Sequence, residues 1–261
     1  MSTVLEVNGL SKSFGGLKAV DDVSFSLAGG ELLALIGPNG AGKSTCFNML
    51  MGQLSPDIGE ISFLGRDLVG LKPRQIWRLG VGRTFQITAT YPSMTVVENV
   101  QVALISYHRR IFSLVTRARH RYRDQAMALL AQVGMAAQAA RPAAILAYGD
   151  LKRLELAIAL ANQPRLLLMD EPTAGMAPQE RVALMALTAE IVANDGLSVL
   201  FTEHDMDVVF GHAHRLIVLN RGRLIAGGSV AEVRANPDVQ AVYLGGGRTF
   251  NTPHDGQVDD A

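Results

Sequence analysis

The chain has 261 residues, 48% of them hydrophobic, and its 24 basic and 24 acidic residues give a formal net charge of zero. A chain of this length buries a full hydrophobic core without disulfides or metal ions to staple it. Because there is no basic excess to drive counterion release, the balanced charge argues against a general nucleic-acid-binding function. The one cysteine, Cys46, forms no disulfide within the chain and indicates a reducing compartment, and we expect it to be buried.

The sequence shows no membrane-spanning or targeting segment. No stretch approaches the roughly 18 consecutive apolar residues that a bilayer-spanning helix needs. The first residues, Met1–Glu6, lack the basic start and the apolar core of a signal peptide. We therefore expect a soluble, cytoplasmic chain.

The first predicted element is a small antiparallel sheet. Residues 4–7 and 23–27 carry apolar side chains in strand fashion, and Asn8-Gly9 and the glycine pairs at 15–16 and 29–30 mark turns. Phe14 lies in this region, where its ring either stacks on a purine or packs in the core.

A phosphate-binding loop follows. Residues 37–45 read GPNGAGKST and match the pattern G-x-x-x-x-G-K-[ST], between a predicted buried strand (31–36) and a predicted helix (44–51), as the motif requires. Glycines let backbone N–H groups surround a triphosphate, and the helix start adds partial positive charge. Lys43 is expected to neutralise the phosphates and the Ser44 hydroxyl to coordinate Mg²⁺. The predicted ATP-binding residues of this loop are Gly37, Pro38, Asn39, Gly40, Ala41, Gly42, Lys43, Ser44 and Thr45.

The middle of the chain turns from strands to helices. A turn at 55–60, a strand at 61–64 and a strand at 80–86 are predicted first, the last ending in the amide Gln86. Apolar residues spaced by three and four then predict helices, and we interpret residues 87–160 as a helical insert. The insert carries a basic patch that is either a solvated face or a surface for a membrane or a partner, formed by Arg109, Arg110, Arg117, Arg119, Arg121 and Arg123.

Two carboxylates and a histidine come next, at predicted strand ends. Residues 165–171 form a short apolar run ending in Asp170 and Glu171, which is typical of a buried parallel strand that delivers an acid to its ligand-binding edge. Asp170 is expected to hold Mg²⁺ through water and Glu171 to polarise the attacking water. After a helix at 178–192, a strand from 198 ends at His204, which is expected either to sense the γ-phosphate or to fix the attacking water.

Two further histidines and the C-terminal segment carry no predicted chemistry. His212 and His214 lack zinc-ligand spacing with a cysteine, so we expect structural roles for them. Residues from 245 onwards are polar and rich in glycine, which predicts a disordered tail.

Together these motifs resemble the ATPase subunits of ABC transporters over residues 3–245. The matching elements are the Walker A loop Gly37–Thr45, the Q-loop glutamine Gln86, the Walker B strand Leu166–Asp170, the catalytic glutamate Glu171 and the switch histidine His204. The resemblance implies that Phe14 stacks on adenine, that Gln86 joins Ser44 and Asp170 at Mg²⁺, and that Gln86, Glu171 and His204 serve catalysis.

The same resemblance implies a fold and its domains. The expected fold is α/β, a P-loop NTPase with a RecA-like core, an N-terminal antiparallel β subdomain and an inserted α-helical subdomain. Residues 1–86 and 161–245 would form the ATPase core, residues 87–160 the helical subdomain, and residues 246–261 the disordered tail.

The family signature, usually Leu-Ser-Gly-Gly-Gln, departs from its pattern here. It reads Leu146-Ala147-Tyr148-Gly149-Asp150, so the serine hydroxyl that donates to the partner's γ-phosphate is missing. A lost donor at such a site costs about 10²–10³ in rate when nothing replaces it. The following D-loop, residues 174–177, also lacks the usual aspartate.

These departures resemble the ATPases of high-affinity importers for branched-chain amino acids, a subfamily that also serves urea, short amides and aromatic acids. That resemblance implies a second ATPase subunit packed head to tail (a paralogue or a second copy), two membrane-spanning permeases and an external substrate-binding protein, with the chain on the cytoplasmic face of the membrane. Tyr91 and Met94 are candidates for permease contact. The segments that carry the resemblance are 83–86, 146–155, 203–206, 236–239 and 243–245.

Three other functions compete with this interpretation. The ATPase of lipopolysaccharide export has a similar C-terminal end, but its Q-loop lacks Arg-Thr-Phe. Non-transport ABC ATPases usually carry long coiled coils, zinc modules or two ATPase halves, and none is found in this sequence. Small GTPases and kinases lack the signature segment between Gln86 and Asp170. The sequence does not specify the transported substrate, because other subunits select it.

Overall fold

The computed structural model describes residues 2–84, 90–108 and 122–244. One sheet is antiparallel and has the strand order β2-β1-β4-β5, where the strands are β1 (Thr3–Phe14), β2 (Leu17–Ala28), β4 (Ile58–Phe63) and β5 (Arg66–Asp67). This confirms the antiparallel sheet predicted ahead of the phosphate-binding loop. The turn predicted at Asn8-Gly9 is wrong, because β1 continues through both residues. The turn predicted over residues 58–60 is wrong, because this segment pairs with β1, with Ile58 opposite Ser11 and Glu60 opposite Asn8.

The second sheet has six strands among the described residues, in the order β10-β9-β3-β8-β7-β6. Its strands are parallel except at the β9–β10 edge pair. They are β3 (Leu32–Ile36), β6 (Val81–Thr84), β7 (Leu166–Asp170), β8 (Ser198–Thr202), β9 (Arg215–Asn220) and β10 (Arg223–Gly228).

Helices surround this sheet, and those between β6 and β7 form the helical part of the chain predicted from the apolar spacing. They are α1 (Lys43–Leu50), α2 (Pro73–Leu79), α3 (Val96–Tyr107), α4 (Arg123–Gln132), α5 (Tyr148–Leu160), α6 (Pro178–Asp195), α7 (Met206–His212), α8 (Val230–Ala235) and α9 (Pro237–Leu244). None of these described helices has both the length and the apolar character that crossing a bilayer requires.

The central strand β3 is buried on both faces and separates two apolar clusters. Leu33 and Leu35 pack with the antiparallel sheet and α1, whereas Ala34 and Ile36 pack with the helices that follow β6. Because successive side chains of a strand point to opposite faces, a continuous apolar run is what a strand covered on both sides requires. Cys46 lies in the first cluster, as expected, and burial raises the pKa of its thiol to about 12, so the side chain is un-ionised at neutral pH.

Parallel pairing places the candidate site residues at one edge of the sheet. Strand β8 lies between β3 and β7, so the carboxyl ends of all three strands are neighbours. The phosphate-binding loop leaves β3, the two acids end β7, and Glu203 and His204 follow β8. Ligands in open α/β sheets bind at this edge.

Candidate nucleotide-binding site

The phosphate-binding loop depends on glycine at two positions where the backbone passes very close to its neighbours. A Cβ on Gly37 would lie 2.2 Å from the Leu219 carbonyl oxygen, and one on Gly42 would lie 2.4 Å from that of Ala19. Gly42 also has a φ of +106°, which side-chain-bearing residues rarely adopt. The loop therefore packs closely between β9 and β2, and this packing defines its backbone shape without a ligand.

The start of α1 directs polar hydrogens out of the loop. Its first helical bond runs from the Cys46 N–H to the Gly42 carbonyl (2.9 Å), so the N–H groups of residues 43–45 precede that ladder and are available to an anion. The Lys43 ammonium donates to the carbonyls of Gly37 (2.7 Å) and Pro38 (3.2 Å). Burial lowers the pKa of Lys43, while the negative charges of Glu171 and Asp170 raise it. These contacts fold the lysine back over its own loop.

Asp170 is held from two sides. Its Oδ1 accepts from the Thr202 hydroxyl at 2.8 Å, and its Oδ2 lies 3.4 Å from Nη2 of Arg83. Arg83 is anchored in turn by the side-chain oxygens of Gln53 (2.9 Å) and Asn48 (3.4 Å). The carboxylate is thus oriented by neighbours from β8, β6 and the end of α1. Arg83 and Thr202 were not predicted as site residues, because a contact across parallel strands leaves no local signal in the sequence.

Glu171 and His204 face each other across the sheet edge. His204 Nε2 lies 2.8 Å from Glu171 Oε1, and both side chains are partly exposed. Glu171 has a φ of +49°, an uncommon conformation for a residue other than glycine. Its N–H donates to the carbonyl and the hydroxyl of Thr202 (3.1 and 3.0 Å), which holds the backbone in this turn. Strained backbone of this kind is typical of functional sites.

A buried carboxylate fixes the segment after Glu171. Oε1 of Glu203 accepts from the Thr173 N–H (2.8 Å) and from its hydroxyl (2.7 Å). Both residues are almost completely buried. Because Glu203 immediately precedes His204, these bonds lock the loop after β7 to the loop after β8. Thr173 and Glu203 are a second pair that sequence reasoning missed.

The loop, Glu171 and His204 share one cleft of about 420 Å³, a size that suits a nucleotide-like ligand. Leu17, Lys18 and Ala19 of β2 form another wall, and Leu17 is 71% exposed. The remaining lining residues are 39–45 of the phosphate-binding loop and Arg221.

Phe14 lies beside this cleft rather than in its wall. It sits opposite Leu17 in the β1–β2 pair and is 48% exposed, with the Lys12 ammonium 5.8 Å from its ring centre. The interpretation of Phe14 as a core residue is therefore wrong, and its stacking on adenine stays a prediction.

Gln86 lies outside the described residues, as do Arg109–Arg121 of the basic patch and the tail 246–261.

The signature segment forms the start of α5. Ala147 precedes the helix, Tyr148 is its first residue, and both are exposed, while Leu146 and Gly149 are buried. Asp150 accepts a hydrogen bond from the Gln138 amide at 3.0 Å. An acid in the first turn of a helix is favourable, because it faces the positive end of the helix dipole. The helix start is thus exposed, and its role towards a second nucleotide stays a prediction.

The other two histidines have different surroundings. Nδ1 of His214 accepts from the Leu32 N–H at 3.1 Å and so supports β3. Burial lowers the pKa of His212, which favours its neutral form. No group of three or more His, Cys, Asp or Glu side chains in the described parts of the chain is arranged to hold a metal ion.

The oxygen donors at the cleft suit Mg²⁺ better than a transition metal. Ser44 is exposed at the start of α1, and Asp170 presents a carboxylate at the neighbouring strand end. Mg²⁺ prefers hard oxygen ligands, and it commonly takes one or two from the protein and the rest from water and phosphates. The residues present therefore fit this ion.

The strand order, with a phosphate-binding loop after the central parallel strand and acids at the same edge, defines an α/β P-loop NTPase fold. Comparison with known proteins agrees. Residues 20–174 match the family model described as ABC transporter, and residues 223–249 match that of the branched-chain amino acid ATP-binding cassette transporter. The chain belongs to the ATP-binding cassette family of ABC transporters.

Three similar proteins illustrate this membership. The high-affinity branched-chain amino acid transport ATP-binding protein LivG of Salmonella typhimurium is 43% identical over 252 residues, covering 93% of this chain and 98% of the relative. A crystal structure of an ABC-transporter ATP-binding cassette in its ADP conformation is 31% identical, with a TM-score of 0.83 and coverage of 94% and 100%. A dimeric post-hydrolysis cassette bound to ADP and Pi is 25% identical, with a TM-score of 0.73 and coverage of 87% and 98%.

Proposed function

We propose that this chain is the ATP-hydrolysing subunit of an ABC importer for branched-chain amino acids or related small organic substrates. The facing pair Glu171 and His204, beside a preformed phosphate-binding loop, carries the proposal of hydrolysis. The amino-acid cargo is supported by the similarity to the Salmonella typhimurium protein and by the match of residues 223–249.

In this proposal the cleft binds ATP through its main chain and one lysine. The N–H groups at the start of α1 surround the phosphates, and Lys43 moves from the carbonyls of its own loop to the phosphate oxygens. When bound through Ser44, Asp170 and Gln86, Mg²⁺ neutralises charge on the phosphates. Phe14 and the exposed Leu17 supply apolar surface for the base.

Glu171 acts as the general base in the proposed reaction. Its carboxylate accepts a proton from the attacking water, while His204, within hydrogen-bonding distance, holds that carboxylate in place. The backbone turn at Glu171 is kept by Thr202, so the carboxylate is positioned before the nucleotide arrives.

The exposed start of α5 belongs to the site of a second ATPase subunit in this proposal. Two subunits pack head to tail, and the helix start of each one binds the phosphate held by the other. Residues 1–86 and 161–245 form the ATPase core, and residues 87–160 the helical subdomain that contacts two membrane-spanning permeases. An external substrate-binding protein selects the cargo, and the chain lies on the cytoplasmic face of the membrane.

Affinity purification from native membranes tests this function. A tagged Glu171→Gln variant is captured with ATP from detergent-solubilised membranes, and its partners are identified by mass spectrometry. Two multi-span permeases and a second ATPase are expected. Lipid-export components, or soluble proteins alone, would overturn the importer assignment. Capture without ATP and capture with a Lys43→Ala variant serve as controls, because both should weaken the pairing of ATPase subunits.

A further inference from the structure

Tyr148, the first residue of α5, reaches across to the loop that follows Glu171. Its hydroxyl donates to the Ala174 carbonyl at 3.1 Å, and its ring lies 3.4 Å from where a Cβ on Gly175 would stand. The side chain is 43% exposed, so the contact lies at the surface rather than in the core. Because Gly175 has a φ of +79°, the loop turns sharply under the ring.

The ring itself is held from its own helix. Nζ of Lys152 lies 5.5 Å from the centre of the Tyr148 ring, a distance suited to a cation–π contact. Lys152 is buried and pairs with Glu155 at 3.1 Å. The lysine therefore has little freedom, and the tyrosine packs against a fixed neighbour.

The loop that Tyr148 contacts is a short segment held by several hydrogen bonds. The Ala174 N–H donates to the Glu171 carbonyl at 3.1 Å, and the Met176 N–H to the Thr173 carbonyl, also at 3.1 Å. Glu203 holds Thr173, as described above. The Arg181 Nε donates to the Met176 carbonyl at 2.8 Å.

These bonds form a continuous path between the start of α5 and Glu171. It runs from the exposed start of α5 through Tyr148 and Ala174 to the backbone of Glu171. Two successive hydrogen bonds therefore join the start of α5 to the turn that carries Glu171. Ala147, the residue before Tyr148, has no side-chain hydroxyl of its own.

We propose that Tyr148 is a positioning residue whose hydroxyl ties the start of α5 to the loop 173–176, and through it sets the position of Glu171. This inference rests on the proposed function, in which the helix start contacts the nucleotide of the second subunit. Nucleotide binding at the second subunit's site would then change the position of Glu171 through the hydrogen bond between Tyr148 and Ala174.

The test compares Tyr148→Phe, which removes only the hydroxyl, with the wild-type chain in its purified transporter complex. We expect kcat for ATP hydrolysis to fall about three- to tenfold, the factor that corresponds to losing one neutral hydrogen bond. The KM for ATP should stay within about twofold, because Tyr148 lies outside the cleft that binds the chain's own nucleotide. The Hill coefficient for ATP should fall towards one.

Hydrogen–deuterium exchange of the full-length chain without nucleotide supplies a second readout. Amides in residues 173–176 should exchange about three- to tenfold faster in Tyr148→Phe, since the loop loses one of its ties. Glu190→Gln is the control, because Glu190 is exposed on α6, outside both this loop and residues 87–160, and the change should alter neither measurement.

Unchanged exchange in the loop, or an unchanged kcat, would overturn the inference, as would a fall in kcat matched by an equal rise in KM. A wild-type complex that does not hydrolyse ATP would instead overturn the proposed function. In that case the exchange measurement still decides whether Tyr148 holds the loop.

Discussion

Nε2 of His204 lies 2.8 Å from Oε1 of Glu171, although 33 positions separate the two residues in the chain. The contact exists because β7 and β8 are adjacent and parallel, with Asp170 opposite Thr202, so that Glu171, one residue further, and His204, two residues further, leave the sheet side by side. The pair thus follows from sheet register. It gives the carboxylate a fixed direction without burying it.

We predict that Glu171→Gln stops turnover while ATP still binds. Loss of a general base typically costs about 10²–10⁴ in rate, whereas the phosphate-binding loop is untouched. Phosphate release measures the first effect, and binding of a fluorescent ATP analogue the second. Glu190→Gln, a change at an exposed position of α6, is the control. Undiminished hydrolysis by Glu171→Gln would refute the assignment of the base.

Thr202→Val should weaken both stability and activity. The buried hydroxyl donates to Asp170 at 2.8 Å and accepts from the Glu171 N–H at 3.0 Å, and valine has a similar shape without either bond. The Glu171 N–H keeps its bond to the Thr202 carbonyl, but Asp170 Oδ1 loses its donor, and such a loss costs about 1–3 kcal/mol of unfolding free energy. Urea denaturation and ATPase assays measure the two effects. Thr202→Ser keeps the hydroxyl and should behave much more like the wild type, so equal losses in both variants would contradict the role of the hydroxyl.

Ala147→Ser should be tolerated. Ala147 is exposed and lies just before α5, where serine is a favourable helix-capping residue. We expect ATP hydrolysis and ATP-driven uptake to stay within about threefold of the wild type, since the change adds a donor and removes none. A collapse of uptake would show that alanine is a required adaptation at this position.

Asp57→Asn should change the acid stability of the antiparallel sheet. Hydrogen bonds from the Lys12 ammonium (2.6 Å) and the Ser13 N–H (2.8 Å) lower the pKa of the Asp57 carboxyl. A carboxyl with a lowered folded-state pKa stabilises the protein above its unfolded pKa, and this contribution is lost as the pH falls through the folded value. The Tm difference between wild type and variant should therefore be full above about pH 5 and shrink below about pH 4. A difference that stays constant over this range would contradict the role of the charge.

Much of the fold was predictable because its signals are local. Glycines at 37, 40 and 42, the apolar run before them and the acids at 170–171 each lie within a few residues of their partners in the motif. The strand β7 and the start of α1 were predicted to within one residue. The strand at 58–60 was missed, because a Pro-Asp-Ile-Gly stretch has turn composition and only pairing with β1 makes it extended.

By itself, the sequence determined that this chain carries a phosphate-binding loop, its acids and its histidine, because backbone shape and residue chemistry are written locally in such motifs. Only the tertiary structure decided which side chains hold them. Arg83 and Thr202 reach Asp170, Glu203 reaches Thr173, and Tyr148 reaches Ala174. Those contacts cross between strands and loops that are distant in the chain, and their geometry is set by sheet register and helix packing rather than by any neighbouring residue.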